Sequence, residues 1–527
     1  MSDNASYAGP LALGIELGST RVKAVLIDGT HQSIASGSHE WRSHMVSGHW
    51  SYSLDAVWVA VQGAVAQTRG EFEDKFGVPL EGVDAMGISA MMHGYLAFDS
   101  AGNLLTPFRT WQDTTTGVAS RALTDALEMN IPLRWSVAHL YQAALNQEAY
   151  VGDIAMLTTL AGYVHWRLTG ERVLGICDAS GMFPVDPETL DYDARRLRHF
   201  DGLASKVGIA RSLKELLPTV LVAGQEAGFL TPAGAELLVP EGGFRSGARF
   251  APPEGDAGTG MVATNTIRPK MANVSAGTSI FAMVVACQML SEVHEELDQV
   301  TTPDGLPVVM VHCNNGAADL QDWVRMFGTA ARLLGAEFDS DTLFQLLYEH
   351  SLEGSEDAAG LVSFNFRAGE PIAGADWGRP LFVRLPDVEL GLADFMRANL
   401  YSVFAVLRLG FDVLRKEGVD VSELFAHGGI FKTEGVAQRY LAAALDVPVT
   451  VSRTASDGGA WGMALLAAFG LETHHPLADW LDQVVFANDD RMTVQATDSE
   501  VKGFGAYMER FRAALPVERI AAQSVLR

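Results

Sequence analysis

One pattern occurs twice in this chain, and it constrains the fold more than any other feature. Leu11-Ala-Leu-Gly-Ile-Glu-Leu leads into Gly18-Ser19-Thr20 and then into Val22-Lys-Ala-Val-Leu-Ile-Asp28. Far downstream, Met271-Ala-Asn-Val-Ser-Ala leads into Gly277-Thr278-Ser279 and then into Ile280-Phe-Ala-Met-Val-Val285. Each is a β-rich run, a turn of glycine and hydroxyls, and a second β-rich run, which reads as a hairpin. Two hairpins with the same turn chemistry imply a duplicated domain, and a ligand held where both turns can reach it.

At 527 residues the chain is long enough for such a duplication, because a single hydrophobic core stops growing near about 250–300 residues. The formal net charge of −26 argues against nucleic acid or anionic lipid as a partner, and Lys and Arg are scattered rather than gathered into a patch. An anionic nucleotide must then be held by backbone N–H groups and a metal. Cys177, Cys287 and Cys313 lie far apart, without the close spacing of a zinc site or redox pair, and read as reduced, buried thiols. The uncharged window Met271–Ser291 is long enough to span a bilayer. Its centre, Ser275-Ala-Gly-Thr-Ser279, suits a turn between strands instead, and the polar start lacks a signal-peptide pattern, so a cytoplasmic location is expected.

Helical and extended segments alternate between the hairpins. Leu54 to Gln67 sets Val57, Trp58, Val61 and Val65 on one helical face, and Gly102-Asn103 after Tyr95-Leu-Ala-Phe signals a further hairpin. This is an α/β pattern. Pro252-Pro-Glu-Gly-Asp-Ala-Gly-Thr-Gly260, rich in Pro and Gly, reads as the domain junction. The second half shows Leu424-Phe-Ala-His-Gly428-Gly429-Ile430, a helix around Val436–Leu445, a strand Val447–Val451, and the glycine-rich helix entry Ala455-Ser-Asp-Gly-Gly-Ala-Trp-Gly462, the pattern of a nucleotide-binding half. From about Thr473 onward no motif is legible.

Glycine with Ser or Thr in a turn lets backbone approach a phosphate and adds hydroxyl donors. One such tripeptide is also an ordinary turn; the matched pair favours phosphate. Glu16 stands in an apolar strand where a charge needs a partner, either Mg²⁺ or, on an edge strand, solvent. Asp256, among small neighbours, reads as the carboxylate that accepts a hydroxyl proton during phosphoryl transfer, or as a helix N-cap. Met92-His93-Gly94 and Trp111-Gln112-Asp113 each follow extended segments and can offer an aromatic face and fixed polar groups to a polyol, although a His beside Gly is also a common core residue.

With these segments in view, the sequence resembles the FGGY family of carbohydrate kinases, in the wider actin, hexokinase and Hsp70-like group. The matching segments are Gly14-Ile-Glu-Leu-Gly-Ser-Thr20, Ser89-Ala-Met-Met-His-Gly94, Trp111-Gln-Asp113, Asp178-Ala-Ser-Gly181, Gly255-Asp256, Val274-Ser-Ala-Gly-Thr-Ser279, Gly428-Gly-Ile-Phe-Lys432 and Gly458-Gly-Ala-Trp-Gly462. Their order from about Leu11 to Gly470 is what is specific. The resemblance implies an α/β fold of two duplicated ribonuclease H-like domains with an interdomain cleft: an N-terminal domain over 11–262, a C-terminal nucleotide-binding domain over 270–475 and an extension over 476–527. It implies ATP and Mg²⁺ as cofactors, with Asp256 as catalytic base and Glu16 toward the metal. Gly18, Ser19, Thr20 and Lys23 of the first hairpin, with Gly277, Thr278 and Ser279 of the second, would meet the phosphates. Gly428, Gly429 and Lys432 would line the adenosine pocket, and Met92, His93, Gly94, Trp111, Asp113 and Asp256 the substrate. A homodimer is a family-level expectation.

The sequence departs from the family pattern at Glu16, where Asp is usual, at Ala257, often Asn, and at Ile430, usually a third glycine. These bear on metal geometry, substrate choice and nucleotide affinity. The activity expected is ATP-dependent phosphorylation of a ketopentose. Met-His-Gly resembles the xylulose kinases, pointing to D-xylulose and its 5-phosphate, while the wording elsewhere is similar to members assigned to L-ribulose. The competing class is an actin-like or chaperone-like ATPase, which would use the same hairpins but has no need of Asp256, His93 and Trp111 aimed at a polyol.

Overall fold

Glycine positions and strand register explain how the first sheet is built. The computed structural model describes residues 6–452, 458–472 and 475–524. The chain divides into two compact units, the first made of Met1–Arg268, Glu292–Val308 and Ala455–Asn488, the second of Pro269–Ser291, Val309–Thr454 and Asp489–Arg527.

In the first unit, β1 (Ala12–Leu17), β2 (Arg21–Ile27) and β3 (Ser33–Glu40) form an antiparallel meander, and β4 (Ala85–Ala90) runs parallel to β1 on its other side. The order is β3-β2-β1-β4, followed by the short strand Arg249–Phe250, while Glu254–Gly255 pairs further along β4. Helix α1 (Leu54–Phe76) covers β2 and β3. Ser53 caps its start by accepting from Ala56 N–H, and Gly77, at φ 71°, ends it in the left-handed conformation that favours glycine. It buries Val57, Trp58, Val61, Val65 and Phe72, so the expected apolar face is present and the helix runs nine residues past the sequence reading at Gln67.

The opposite face of β1 carries α3 (Gly458–Phe469), which in turn packs against α2 (Asp256–Ala263). Here the glycines are steric necessities. A Cβ on Gly14 would lie 2.1 Å from the Ala460 carbonyl oxygen, and one on Gly462 would lie 2.0 Å from that of Thr259. Real side chains cannot sit so close, so the backbones of β1, α2 and α3 touch. The glycine-rich segment expected to serve the nucleotide-binding half therefore packs in the first unit; its first residues, 455–457, lie outside the described ones. The Pro/Gly-rich stretch read as a junction supplies the strand Glu254–Gly255 and the start of α2, and the first unit continues to Arg268.

The second unit repeats the plan with β5 (Met271–Ala276), β6 (Ile280–Val285), β7 (Pro307–Cys313), β8 (Glu423–His427), β9 (Val449–Ser452) and β10 (Arg491–Val494), in the order β7-β6-β5-β8-β9-β10. β5 pairs antiparallel with β6 and parallel with β8, as β1 does with β2 and β4. The duplication inferred from the turns is thus a duplication of strand order. β10 and the helix Asp498–Ser524 come from the C-terminal extension, and the helix buries Phe504, Tyr507 and Phe511.

The window 271–291 forms β5 and β6, and no described helix is long and apolar enough to cross a membrane. Cys177 and Cys313 are buried, but Cys287 is exposed, because β6 ends at Val285 and the chain turns outward. The turn at Gly102 is closed by Asp99, which accepts from Ala101 and Asn103 N–H, and the strand before it, Leu96–Phe98, pairs back across the turn through the antiparallel bridge Phe98–Leu104 as well as with Met156–Thr158.

Candidate active site

Strands and helices of the first unit end around Asp256. Asp256 opens α2, and its Oδ1 accepts the Met92 N–H at 3.1 Å. Met92 and His93 follow the end of β4, where Met91 N–H still bonds to Leu17 carbonyl at 2.9 Å. The turn is clasped between glycines: a Cβ on Gly255 would lie 2.1 Å from Met92 Cγ, and one on Gly181 would lie 2.7 Å from His93 Nδ1. Within it His93 adopts φ 70°, ahead of Gly94 at 95°. A non-glycine residue in this region persists only where its surroundings over-determine it, and such strain clusters at functional sites.

His93 is buried, with Nδ1 3.3 Å from the Gly181 carbonyl oxygen and its ring stacked near Trp135. Burial, reinforced by the Arg134 guanidinium, holds its pKa well below the usual imidazole range, so it is neutral and can both donate and accept. Asp113 is buried too. Burial alone would raise its pKa, but hydrogen bonds from the Thr115 hydroxyl and N–H, with His139 and His49 nearby, outweigh it and bring the carboxyl below its ordinary value. His49 Nδ1 bonds directly to Asp113. Trp111 is 36% exposed.

Glu16 sits opposite Lys23 on β2 and beside Ser89 on β4. Its carboxyl is pushed up to about 7 by burial, then by the Asp256 charge, with Lys23 opposing. Asp256 is likewise raised by burial, partly offset by the Met92 N–H. Gly459 makes room for Glu16: a Cβ there would lie 2.3 Å from Glu16 Oε1. Neighbouring carboxylates with so little cationic compensation are a donor set suited to a hard, oxygen-seeking divalent ion.

The first hairpin is braced from behind. Trp41 Nε1 donates to Gly18 O at 2.7 Å and Tyr52 OH to Ser19 O at 2.5 Å, with Trp41 and Tyr52 stacked. Thr20 lies exposed at the turn, and Lys23 is half-buried. In the second unit Gly277 and Thr278 are exposed at the tip between β5 and β6. Gly428, at φ 119°, rests against it, since a Cβ there would lie 2.1 Å from Ala276 O. Gly429 and Lys432 are exposed in the short helix that follows, whereas Ile430 is buried. The residue in place of a third glycine is thus a core residue. Ala257, the other departure, directly follows Asp256 in α2.

The residues expected from sequence therefore group by unit: Glu16, Gly18–Lys23, Met92–Gly94, Asp113 and Asp256 in the first, Gly277–Ser279 and Gly428–Lys432 in the second. Sequence reasoning missed several neighbours. His49 and His139 flank Asp113, and His139 is fully buried with neither ring nitrogen hydrogen-bonded among the described residues. Thr259 meets the Ser89 hydroxyl at 3.0 Å.

Behind Asp256 lies a second acidic pair. Glu254 accepts the Asp178 N–H at 3.1 Å, and Asp178 accepts the Thr159 hydroxyl at 2.6 Å, with both carboxyls buried. Burial pushes Asp178 up to about 7 and Glu254 well above its ordinary value. A carboxyl whose folded pKa is raised binds its proton more tightly in the native state. Its stabilisation is complete below the unfolded value and is lost as pH climbs through the folded one, near 7. Asp178→Asn removes that pH dependence, which amounts to about 1.4 kcal/mol for each tenfold difference in proton affinity between the folded and unfolded chain. The variant should gain on the wild type between pH 5 and 8 in urea unfolding; a gap independent of pH would refute the raised pKa.

Residues 11–243 match the N-terminal domain of the FGGY family of carbohydrate kinases, and residues 272–471 match the C-terminal domain. The chain is 23% identical over 441 residues to a xylulose kinase of Haemophilus influenzae, covering 79% of this chain and 82% of that protein. It is 23% identical over 486 residues to a glycerol kinase of Rhizobium meliloti, covering 86% and 89%. In structure it is similar to xylulose kinase from Rhodospirillum rubrum, with a TM-score of 0.77, 19% identity, and coverage of 96% and 98%, a likeness of fold.

Proposed function

This chain belongs to the FGGY family of carbohydrate kinases, and we propose that within it the chain transfers the γ-phosphoryl group of ATP to the terminal hydroxyl of a ketopentose, D-xylulose first and L-ribulose as the alternative. The observation that carries this reading is the hydrogen bond from Met92 N–H to Asp256. It ties a carboxylate able to take a hydroxyl proton to the strained turn that presents His93.

In this reading the sugar hydroxyls are held by neutral His93 and ionised Asp113, with the Trp111 ring against an apolar edge of the sugar. Asp256 orients the terminal hydroxyl and receives its proton as the new P–O bond forms. Burial helps Asp256 here, because desolvation makes it a stronger base than an exposed aspartate. The Gly18–Thr20 turn with Lys23 and the Gly277–Ser279 turn serve the phosphates of the nucleotide, and Gly428, Gly429 and Lys432 serve its adenosine. Glu16 would hold Mg²⁺, which, when bound, neutralises the charge that develops on the phosphoryl oxygens. The two family relatives reported above carry different substrate names, xylulose and glycerol. Their difference sets the test.

Coupled assays of ADP release should be run with D-xylulose, L-ribulose, D-ribulose, L-xylulose, glycerol and gluconate. One pentulose is expected to exceed glycerol in kcat/KM by about 10³-fold or more, since a site that hydrogen-bonds each hydroxyl rejects analogues that leave its polar groups unpaired. Equal rates on glycerol and every pentulose would overturn the ketopentose reading, and ADP release indifferent to any polyol would favour an ATPase of another class.

A further inference from the structure

The turn Gly277-Thr278-Ser279 is held from behind by a chain of hydrogen bonds that ends on a buried carboxylate. Gly316 N–H donates to Thr278 O at 2.7 Å, and Ala317 N–H donates to Gly277 O at 2.9 Å. Position 316 must be glycine for this approach, because a Cβ there would lie 2.4 Å from Gly277 O. The residue before it, Asn315, is 4% exposed and engaged at every polar atom of its side chain. Its Oδ1 accepts from Arg367 N–H at 2.8 Å and Ala368 N–H at 3.0 Å. Its Nδ2 donates to Ala368 O at 3.1 Å and to Glu370 Oε2 at 3.0 Å. Its backbone N–H donates to the same Glu370 oxygen at 3.1 Å.

Glu370 is 0% exposed, and its other oxygen, Oε1, has no hydrogen-bond partner among the described residues. Burying a carboxylate with one oxygen unsatisfied costs stability, so a role for the satisfied oxygen is called for. That oxygen receives both bonds from Asn315, and Asn315 sets the backbone on which the turn's carbonyls rest. Occupied carbonyls on one side leave the turn's remaining face for an anion, the same bracing that Trp41 and Tyr52 give the first hairpin.

Resting on the reading of Gly277–Ser279 as a phosphate-binding turn, we propose that Glu370 is a positioning residue for the nucleotide phosphates, acting through Asn315 and the Gly316–Ala317 backbone. It touches neither nucleotide nor sugar. Its removal should therefore weaken nucleotide binding and leave the sugar site intact. Gln, whose amide oxygen can accept the same two bonds, should restore the function.

The test compares Glu370→Ala, Glu370→Gln and Thr278→Ala by calorimetric titration with MgADP, by separate KM values for ATP and ketose, and by thermal unfolding. Glu370→Ala should raise the MgADP Kd and the ATP KM about tenfold, the loss expected when two buried hydrogen bonds are removed, with the ketose KM unchanged. Glu370→Gln should stay within about twofold of wild type, since both bonds have an acceptor. Thr278→Ala should raise the MgADP Kd by itself. If Thr278→Ala weakens MgADP but Glu370→Ala does not, the positioning role is wrong and the phosphate reading stands. If Thr278→Ala leaves MgADP binding unchanged, the phosphate reading is wrong. Equal rises in both KM values, or a Gln variant as impaired as Ala, would also overturn the proposal. Should Glu370→Ala fail to fold, Asn315→Ser breaks the same link and carries the same expectations.

Discussion

Asp256→Asn is expected to lose about 10³-fold in kcat, within the range that a positioned general base contributes, while the KM values for ATP and ketose change little. Asn keeps the shape of the side chain and an oxygen that can accept the Met92 N–H, so the His93 turn stays in place. What disappears is the capacity to take a proton. A loss confined to kcat marks an interaction made in the transition state rather than in substrate binding. Steady-state kinetics beside an unfolding curve would check this. Retention of more than a few per cent of turnover by a normally folded variant would remove Asp256 from the role of base.

Gly462→Ala should be strongly destabilising for a change of one methyl group. The new Cβ would lie 2.0 Å from Thr259 O, 2.9 Å from Thr259 C and 3.2 Å from Ala263 N. All three are backbone atoms of α2 and its end, so no side-chain rotation relieves the overlap. Either α3 moves away from α2 or α2 shifts with its first residue, Asp256. Overpacking of this kind costs about 1–3 kcal/mol, and more where backbone is the obstacle. Gly505, in the helix Asp498–Ser524, has open space where a Cβ would go, and Ala there should stabilise by about 0.5–1 kcal/mol through helix propensity. Scanning calorimetry of the two variants should show opposite shifts. A Gly462→Ala protein that melts with the wild type would mean that α2 and α3 do not touch as described.

The duplicated hairpins were legible in the sequence because turn chemistry is local: glycine and hydroxyls between β-rich runs announce themselves within about ten residues. Met92–Gly94 and Gly428–Gly429 stand out locally as polar or glycine-rich ends of extended runs, and the resemblance then gives them their roles. The place of α3 was not legible, since what Gly459 and Gly462 touch lies on Glu16 and Thr259, far away in the chain. The burial of Asp178 and Glu254 was equally hidden. Nothing in either residue's neighbours says that tertiary packing will leave these carboxyls without solvent. His49 escaped notice because its partner, Asp113, is brought to it only by the fold. Glu370 escaped for the same reason.

The position of α3 has a consequence for how the protein is made. β1 and β4 leave the ribosome early, yet Gly14 and Gly87 present to α3 a face shaped for Ala460, Met463 and Ala464. Those residues are synthesised only after most of the second unit. Translation at about 5–20 residues per second makes that interval long compared with the folding of a small domain. The first sheet must therefore wait, one face uncovered, until nearly the whole chain has emerged, and a fragment ending at the close of α2 would never receive its cover.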